Sequence, residues 1–149
     1  MLSVLRIVAG VLYFEHGLQK VFNIPPAPRG PVPYHLFTLA PGMAGVIETV
    51  CGFLILIGLA TRGAAFLASG EMAAAYFKVH ILRSLFPINN MGDNVVLFCF
   101  VFLYLVFAGA GPWSVDSLIG RPRARQPETP ARHDDIPALR PRREHVEAS

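Results

Sequence analysis

The sequence predicts an all-α fold: a polytopic membrane protein whose four transmembrane helices form a bundle, followed by a disordered C-terminal tail. The first observation is four apolar stretches, over residues 2–22, 40–60, 62–82 and 93–110. Each is close to the roughly 20 helical residues that cross the hydrocarbon core of a bilayer. The second is composition, with 53% hydrophobic residues, 15% charged residues and a mean hydropathy of +0.46. These values lie on the apolar side of soluble-domain averages.

The first stretch, residues 2–22, is expected to remain in the mature protein as a helix. Glu15 and His16 interrupt its apolar run, its positive charge near the N-terminus is weak, and no small-residue cleavage site follows. These features make it a poor signal peptide. The segment after it, residues 23–33, is too rich in proline to be helical and is predicted to be a loop.

The second and third stretches are predicted to form an antiparallel hairpin, because only Thr61 and Arg62 connect them. The third stretch carries Glu71 near its middle, where an ionised carboxylate costs about 3 kcal/mol on membrane-insertion scales. Glu71 therefore needs a partner or a proton. The fourth stretch is apolar on every side over residues 95–107, which suits a helix surrounded by lipid or protein.

The composition changes at residue 121. Residues 121–149 contain seven arginines, five prolines and five acidic residues but almost no large apolar side chains. This predicts a disordered cytoplasmic tail after a single transmembrane domain of residues 1–120. Because acidic residues dilute the charge of the tail, the net charge of +3 is attributed to topology. The lipid bilayer is the expected partner, and nucleic acid is not.

The basic residues predict the orientation of the helices. In a four-span topology both termini share one face, and nine of the thirteen Lys and Arg residues lie there, namely Arg6, Arg62 and the seven arginines of the tail. Lys and Arg are enriched on the cytoplasmic side of membrane proteins. Both termini are therefore predicted to be cytoplasmic, in a cell inner membrane.

Polar residues from all four stretches fall near the same, outer end of the predicted bundle. His16 and Glu48 lie about 9 Å and 12 Å below the outer ends of their helices. His80 lies near the outer end of the third helix, and Asp93 opens the fourth, where it can also cap the helix. Unrelated residues would scatter over both leaflets, so the clustering predicts one polar site. Glu48 is too short to reach the headgroups and must pair, protonate or line a cavity.

Helical spacing places some polar residues on shared faces. His16 and Lys20 are four residues apart with Tyr13 on the same stripe, and Tyr76 and His80 are also four residues apart. Taken singly, His80 and Lys20 also fit interfacial anchors that reach the headgroups. The shared faces favour membership of the polar site.

Other residues are assigned elsewhere. Glu71 lies nine residues before His80, about 180° around an α-helix, so a separate contact is expected for it. Arg6 is interpreted as an anchor at the inner surface. Cys51 and Cys99 both lie inside predicted helices and are interpreted as small packing residues, with a redox pair as the open alternative.

Five short motifs follow one another at consistent spacing: HGLQK at 16–20, ETVCG at 48–52, IGLATR at 57–62, GEMAAAYFKVH at 70–80 and GAGPWSVD at 109–116. Together they resemble the DoxX family of bacterial four-helix membrane proteins. The resemblance covers about residues 4 to 120 and excludes the tail. Some members of that family are linked to membrane oxidoreductase systems that deal with thiol, sulfur or oxidative stress.

The resemblance implies a polar site inside the membrane. His16, Lys20, Glu48 and His80 match family positions in it. Where the family often has Asn-Gly-Gly-Glu before the fourth helix, this chain has Asn90-Met91-Gly92-Asp93. The carboxylate is kept here but is one methylene shorter.

The leading hypothesis is a quinone-facing component of a membrane oxidoreductase, without a covalently bound cofactor. A histidine can donate a hydrogen bond to a quinone, a carboxylate can relay its proton, and a lysine can stabilise oxyanion charge. No flavin or haem motif is present, so electrons would come from a redox partner subunit. The candidate catalytic residues are His16, Lys20, Glu48, His80 and Asp93, and the candidate quinone-binding residues are Tyr13 and Tyr76.

Three alternatives are weighed against this hypothesis. In the first, the chain is a non-catalytic subunit or scaffold, in which the buried charges pair across helices and specify packing. A metal site is not expected, because the histidines do not share a helix at ligand spacing and Lys20 beside His16 would repel a cation. Transport is disfavoured because no paired broken helices are visible. A homo-oligomer remains an alternative to a separate partner subunit.

Overall fold

The structure, a computed structural model, describes residues 1–28, 30, 34–35, 38 and 42–120. Within these residues every regular element is helical and no strand occurs, so the all-α prediction is confirmed for this part of the chain. The predicted disordered tail, residues 121–149, lies outside the described residues, as does much of the predicted proline-rich loop. The described residues of that loop, 23–28, are not helical.

Six α-helices follow one another along the chain. They are α1 (Leu2–Phe22), α2 (Ala44–Ile57), α3 (Thr61–Ala75), α4 (Pro87–Asn90), α5 (Asp93–Ala108) and α6 (Val115–Ile119). The third helix continues beyond its α-helical part as a π-helical segment, Tyr76–His80. Judged by length and hydropathy together, none of the helices in the described residues qualifies as a membrane span. The four-span topology therefore stays a prediction.

The helix ends follow from local backbone chemistry. α1 stops where Asn23 adopts a left-handed conformation, with φ 55°, and its N–H bonds back to the carbonyl of Gln19. α2 is shorter than the predicted stretch because Gly58 adopts φ 73° and closes the helix. Glycine has no Cβ to oppose that conformation, which makes it a common helix terminator. The result is a tight turn into α3, as the short connection predicts.

Small residues bring α1 and α2 into close contact. A Cβ added at Gly17 would lie 2.4 Å from the backbone nitrogen of Thr49, and one at Gly52 would lie 2.6 Å from the backbone nitrogen of Phe14. Neither approach leaves room for a side chain. The two helices therefore meet backbone to backbone, a geometry that small residues permit at helix interfaces.

The centre of the bundle is a small apolar core from all four long helices. Tyr13 of α1 packs its ring edge against Phe102 of α5, with ring centroids 4.7 Å apart. α2 packs mainly on α1, and α3 packs mainly on α5. The buried apolar residues are Ala9, Tyr13, Cys51, Ile55, Ala64, Ala65, Ala68, Met72, Phe102 and Leu105.

Arg6 is not the surface anchor that the sequence suggested. Its side chain is only 1% exposed. The guanidinium donates through Nε to the carbonyl of Ala110 at 2.9 Å and through Nη1 to the carbonyl of Ile55 at 2.6 Å. It also donates to the carbonyls of Leu56 and Trp113. Arg6 thus ties the end of α2 to the segment after α5.

Asp116 stabilises the same end of the bundle by capping the first turn of α3. Its carboxylate accepts hydrogen bonds from the backbone N–H groups of Ala60 at 2.7 Å and Thr61 at 2.9 Å, where α3 begins. Partial burial acts to raise the pKa of Asp116, but these backbone donors outweigh it and hold the pKa below its usual range. The carboxylate therefore caps α3 in its charged form, which the positive end of the helix favours.

Candidate functional site

A cavity of about 660 Å³ lies at the opposite end of the bundle from Arg6. Its walls are mostly apolar, and they come from α1, α2, α3 with its π-helical segment, and the start of α5. The residues that line it are Tyr13, His16, Lys20, Met43, Ala44, Ile47, Glu48, Phe66, Leu67, Gly70, Glu71, Met72, Ala74, Ala75, Lys78, Val79, His80, Met91, Asn94, Val95 and Phe98. Four of the five candidate catalytic residues are among them.

An ion pair joins α1 to α2 in the cavity wall. Lys20 Nζ lies 2.6 Å from Glu48 Oε1. Glu48 is 1% exposed, whereas the side chain of Lys20 is 33% exposed. Gly45, one turn before Glu48, leaves room for this arrangement, because a Cβ there would lie 3.2 Å from Cβ of Lys20. The lysine therefore connects a buried carboxylate to the solvent-accessible side of the bundle.

The second carboxylate oxygen of Glu48, Oε2, is without a hydrogen-bond partner in the part of the chain that the structure describes. Oε2 is fully buried and neither a side chain nor a backbone group within the described residues donates to it. Leaving a buried acceptor of a charged group unpaired costs at least about 1–3 kcal/mol. Buried polar groups without partners are rare in folded proteins, and each one calls for an explanation, such as a functional role or a bound molecule that supplies the missing hydrogen bond.

Glu71 also lines the cavity, contrary to the separate contact expected for it. Tyr13 donates a hydrogen bond from its hydroxyl to Glu71 Oε2 at 3.0 Å, joining α1 to α3. The expectation rested on 100° of rotation per residue between Glu71 and His80. The π-helical segment Tyr76–His80 holds more residues per turn and so rotates less per residue. Both side chains therefore reach the same cavity.

Both candidate histidines line the cavity, and both bond through Nδ1 to a backbone carbonyl. His16 Nδ1 lies 2.7 Å from the carbonyl oxygen of Leu12, and His80 Nδ1 lies 3.0 Å from that of Asn90. A carbonyl can only accept, so each Nδ1 carries the hydrogen. In the neutral ring, Nε2 is then a hydrogen-bond acceptor.

The structure does not bring the other two candidates, Asp93 and Tyr76, to the cavity. Asp93 is exposed at the start of α5 and makes no capping bond to any described residue, and its neighbour Asn94 lines the cavity instead. Tyr76 donates its hydroxyl to the carbonyl of Leu85 at 2.9 Å. Its ring packs against Gly92, where an added Cβ would meet the ring at 2.9 Å. Tyr76 thus holds the α4 region in place.

Neither of the two cysteines lines the cavity. Cys51 is buried in the core, Cys99 is half-buried beside Ser69, and both are free thiols. The packing interpretation and the redox interpretation of these thiols both stay open. Within the described residues, no group of three or more His, Cys, Asp or Glu residues is arranged to hold a metal ion.

Comparison with known proteins identifies a family for this chain but not a reaction. The DoxX family model matches residues 1–81. An uncharacterized protein of Haemophilus influenzae is 39% identical over 122 residues, which cover 78% of this chain and 88% of the relative. An uncharacterized membrane protein of Mycobacterium tuberculosis is 29% identical, over 78% of this chain and 80% of the relative. No solved structure matches significantly. The resemblance seen in the sequence motifs is therefore confirmed.

Proposed function

This chain belongs to the DoxX family, and we propose that it is a multi-pass protein of the cell inner membrane that binds a quinone between its helices. In this proposal it is a component of a membrane oxidoreductase system linked to thiol, sulfur or oxidative-stress chemistry. The observation that carries the proposal is the apolar cavity with two carboxylates, two histidines and Lys20 in its wall.

The name of the Mycobacterium tuberculosis relative, a membrane protein, supports the membrane placement. The outward faces of the helices support it too, because large apolar residues such as Phe53, Phe100 and Phe107 are exposed. α1, and α3 with its π-helical segment, each contain about 20 residues, roughly 30 Å of helix. The arginines on the side of the two termini support a cytoplasmic position for both termini.

Three charged residues of α1 and α2, namely Arg6, Lys20 and Glu48, are compatible with this placement. Arg6 donates to four backbone carbonyls, and Lys20 pairs with Glu48. Ionisable groups inside a membrane face the bundle interior and pair there, because lipid offers them no partners. Such internal pairing lowers the cost of burying each charge.

The cavity fits the chemistry of a quinone. The apolar wall can hold a ring and the start of an isoprenoid chain, as is usual for sites of small hydrophobic ligands. The polar groups can take or give the protons that accompany reduction and oxidation. Glu48 is the proton relay in this proposal, and Lys20 provides both positive charge near the ligand oxygen and a route toward solvent. His80 is a second proton exit.

The proposal is tested with purified protein titrated with a short-chain ubiquinone analogue in its oxidised and reduced forms. Gly70→Leu is the test variant, because Gly70 lines the cavity and an added Cβ meets nothing within 4 Å. Gly63→Leu is the matched control on the same helix, since Gly63 also has open space around it but does not line this cavity. We expect saturable binding that Gly70→Leu weakens at least tenfold and Gly63→Leu leaves unchanged.

The alternative function is that of a scaffold without a ligand. The contacts Lys20–Glu48 and Tyr13–Glu71 favour it, because each joins two helices. Such contacts would specify the packing of the bundle whether or not a quinone binds. The same titration separates the two functions: failure of both redox forms to bind the wild-type protein would leave the scaffold as the better account.

A further inference from the structure

The unpartnered oxygen of Glu48 indicates which ligand the cavity accepts. Glu48 is 1% exposed, lines the cavity and uses only Oε1 in its contact with Lys20. As a carboxylate, Glu48 accepts hydrogen bonds through both oxygens and donates none. A ligand group that hydrogen-bonds to Oε2 of this carboxylate must therefore carry a donor.

Other polar groups of the cavity wall are also biased toward accepting. Tyr13 already donates its hydroxyl hydrogen to Glu71, so the tyrosine has no donor left for a ligand. His16 and His80 each use Nδ1–H on a backbone carbonyl, which leaves Nε2 of the neutral ring as an acceptor. The side-chain donors that remain are the further N–H groups of Lys20, the exposed ammonium group of Lys78 and the amide group of Asn94.

We infer that the cavity selects the reduced, hydroxyl-bearing form of its ligand, a hydroquinone, over the oxidised quinone, with one hydroxyl donating to Glu48 Oε2. This inference rests on the proposed function and adds to it the redox state of the bound molecule. A quinone presents only carbonyl acceptors, and a carbonyl oxygen facing Oε2 would leave both acceptors buried and unpaired. A site with a buried polar group rejects a ligand that lacks the matching partner far more strongly than it rejects a ligand of altered size.

The position of Lys20 moderates the size of the preference. An N–H of Lys20 that Glu48 does not use can donate to a quinone carbonyl, so the oxidised form retains one favourable contact. We therefore expect the hydroquinone to bind at least tenfold more tightly than the quinone. A tenfold difference corresponds to about 1.4 kcal/mol, which is within the cost of one unpaired buried group.

The experiment compares three forms of one short-chain analogue on the wild-type protein under anaerobic conditions: the hydroquinone, the quinone and the dimethyl ether of the hydroquinone. The ether keeps the aromatic ring and both oxygens but has no donor, so it isolates the hydrogen bond from the redox state. We expect tight binding of the hydroquinone and at least tenfold weaker binding of the other two. This arm needs no variant and does not depend on the folding of a mutant.

A second arm uses Glu48→Gln, whose amide both accepts and donates. With Gln at this position the quinone carbonyl gains a donor, so we expect the preference for the hydroquinone to fall below threefold. Glu15→Gln is the matched control, because Glu15 is an exposed residue of α1 outside the cavity. It should keep the wild-type preference.

The outcomes separate this inference from the proposed function. Equal binding of hydroquinone and quinone, or equal binding of the dimethyl ether, would overturn the inference and leave quinone binding intact. An unchanged preference in a folded Glu48→Gln protein would overturn the role of Oε2. Absence of binding for all three forms would overturn the proposed function itself.

Discussion

Replacing Arg6 with alanine is expected to lower the free energy of unfolding by about 3 kcal/mol or more, the largest effect of any single substitution considered for this chain. Arg6 is 1% exposed and donates to the carbonyls of Ile55, Leu56, Ala110 and Trp113. Without it the carbonyls of Leu56, Ala110 and Trp113 lose this donor, while that of Ile55 keeps the N–H of Gly58. Each buried group left unpaired costs about 1–3 kcal/mol. The measurement is a thermal or denaturant unfolding curve in detergent.

Two further variants define the cause of that loss. Arg62→Ala is the control, since Arg62 lies at the same end of the bundle but is exposed. Among the described residues its side chain makes only a long hydrogen bond, 3.4 Å, to the carbonyl of Phe107. It should change stability by less than about 0.5 kcal/mol. Arg6→Lys keeps the charge but not the planar fork of donors, so it should recover only part of the loss. Unfolding of Arg6→Ala at the wild-type midpoint would show that these carbonyls find other partners.

Replacing Lys20 with methionine is expected to destabilise the protein by about 2 kcal/mol. The substitution keeps most of the length of the side chain but removes the only group within the described residues that donates to the buried carboxylate of Glu48. Removing one partner of a fully buried ion pair costs about 3–5 kcal/mol, and the smaller figure here allows for the 33% exposure of Lys20. Unfolding curves of the single variant measure the loss.

The double variant Lys20→Met/Glu48→Gln tests the reason for that loss. A neutral amide does not need a cation, so the double variant should recover at least half of the stability that Lys20→Met loses. Such recovery from a second substitution is the signature of coupled residues. Lys78→Met is the control, because Lys78 lines the same cavity but makes no ion pair within the described residues. If the stability losses of the single variants Lys20→Met and Glu48→Gln simply added up to the loss of the double variant, the ion pair would contribute nothing to stability.

The helices were predictable because hydropathy marks them directly. α1 occupies the residues of its apolar stretch, and the turn at Thr61 follows from a connection too short for anything else. The end of α2 was harder, because a glycine inside an apolar run ends a helix only if it adopts a left-handed conformation, as Gly58 does. Sequence composition does not encode that choice at a single position.

The site was predictable in part, for a similar reason. Counting turns placed His16 and Lys20 on one face and Glu48 at a matching depth, and these three residues do line one cavity. The same counting excluded Glu71, because it assumed an unbroken α-helix through the π-helical segment after Ala75. An ionisable residue in the middle of an apolar stretch was itself a signal that Glu71 belonged in the bundle interior.

Arg6 shows a second limit on what can be predicted from the sequence. Depth along a helix can be estimated from residue number, but the direction of a side chain depends on which carbonyls lack partners elsewhere. The carbonyls that Arg6 binds belong to helix ends and turns up to residue 113. Their need for a donor arises only when the chain is folded, so a surface anchor and a buried hydrogen-bonding centre look alike in sequence.

The most direct test of the central claim, that the cavity between the helices is a quinone site, is photolabelling in native membranes with a photoreactive short-chain quinone analogue, followed by peptide mapping. The account predicts labels on cavity residues such as Met72, Asn94 and Phe98, lost on adding unmodified hydroquinone and absent from Gly70→Leu. Labels only on exposed outward residues such as Phe100 and Phe107, unaffected by the competitor, would contradict it.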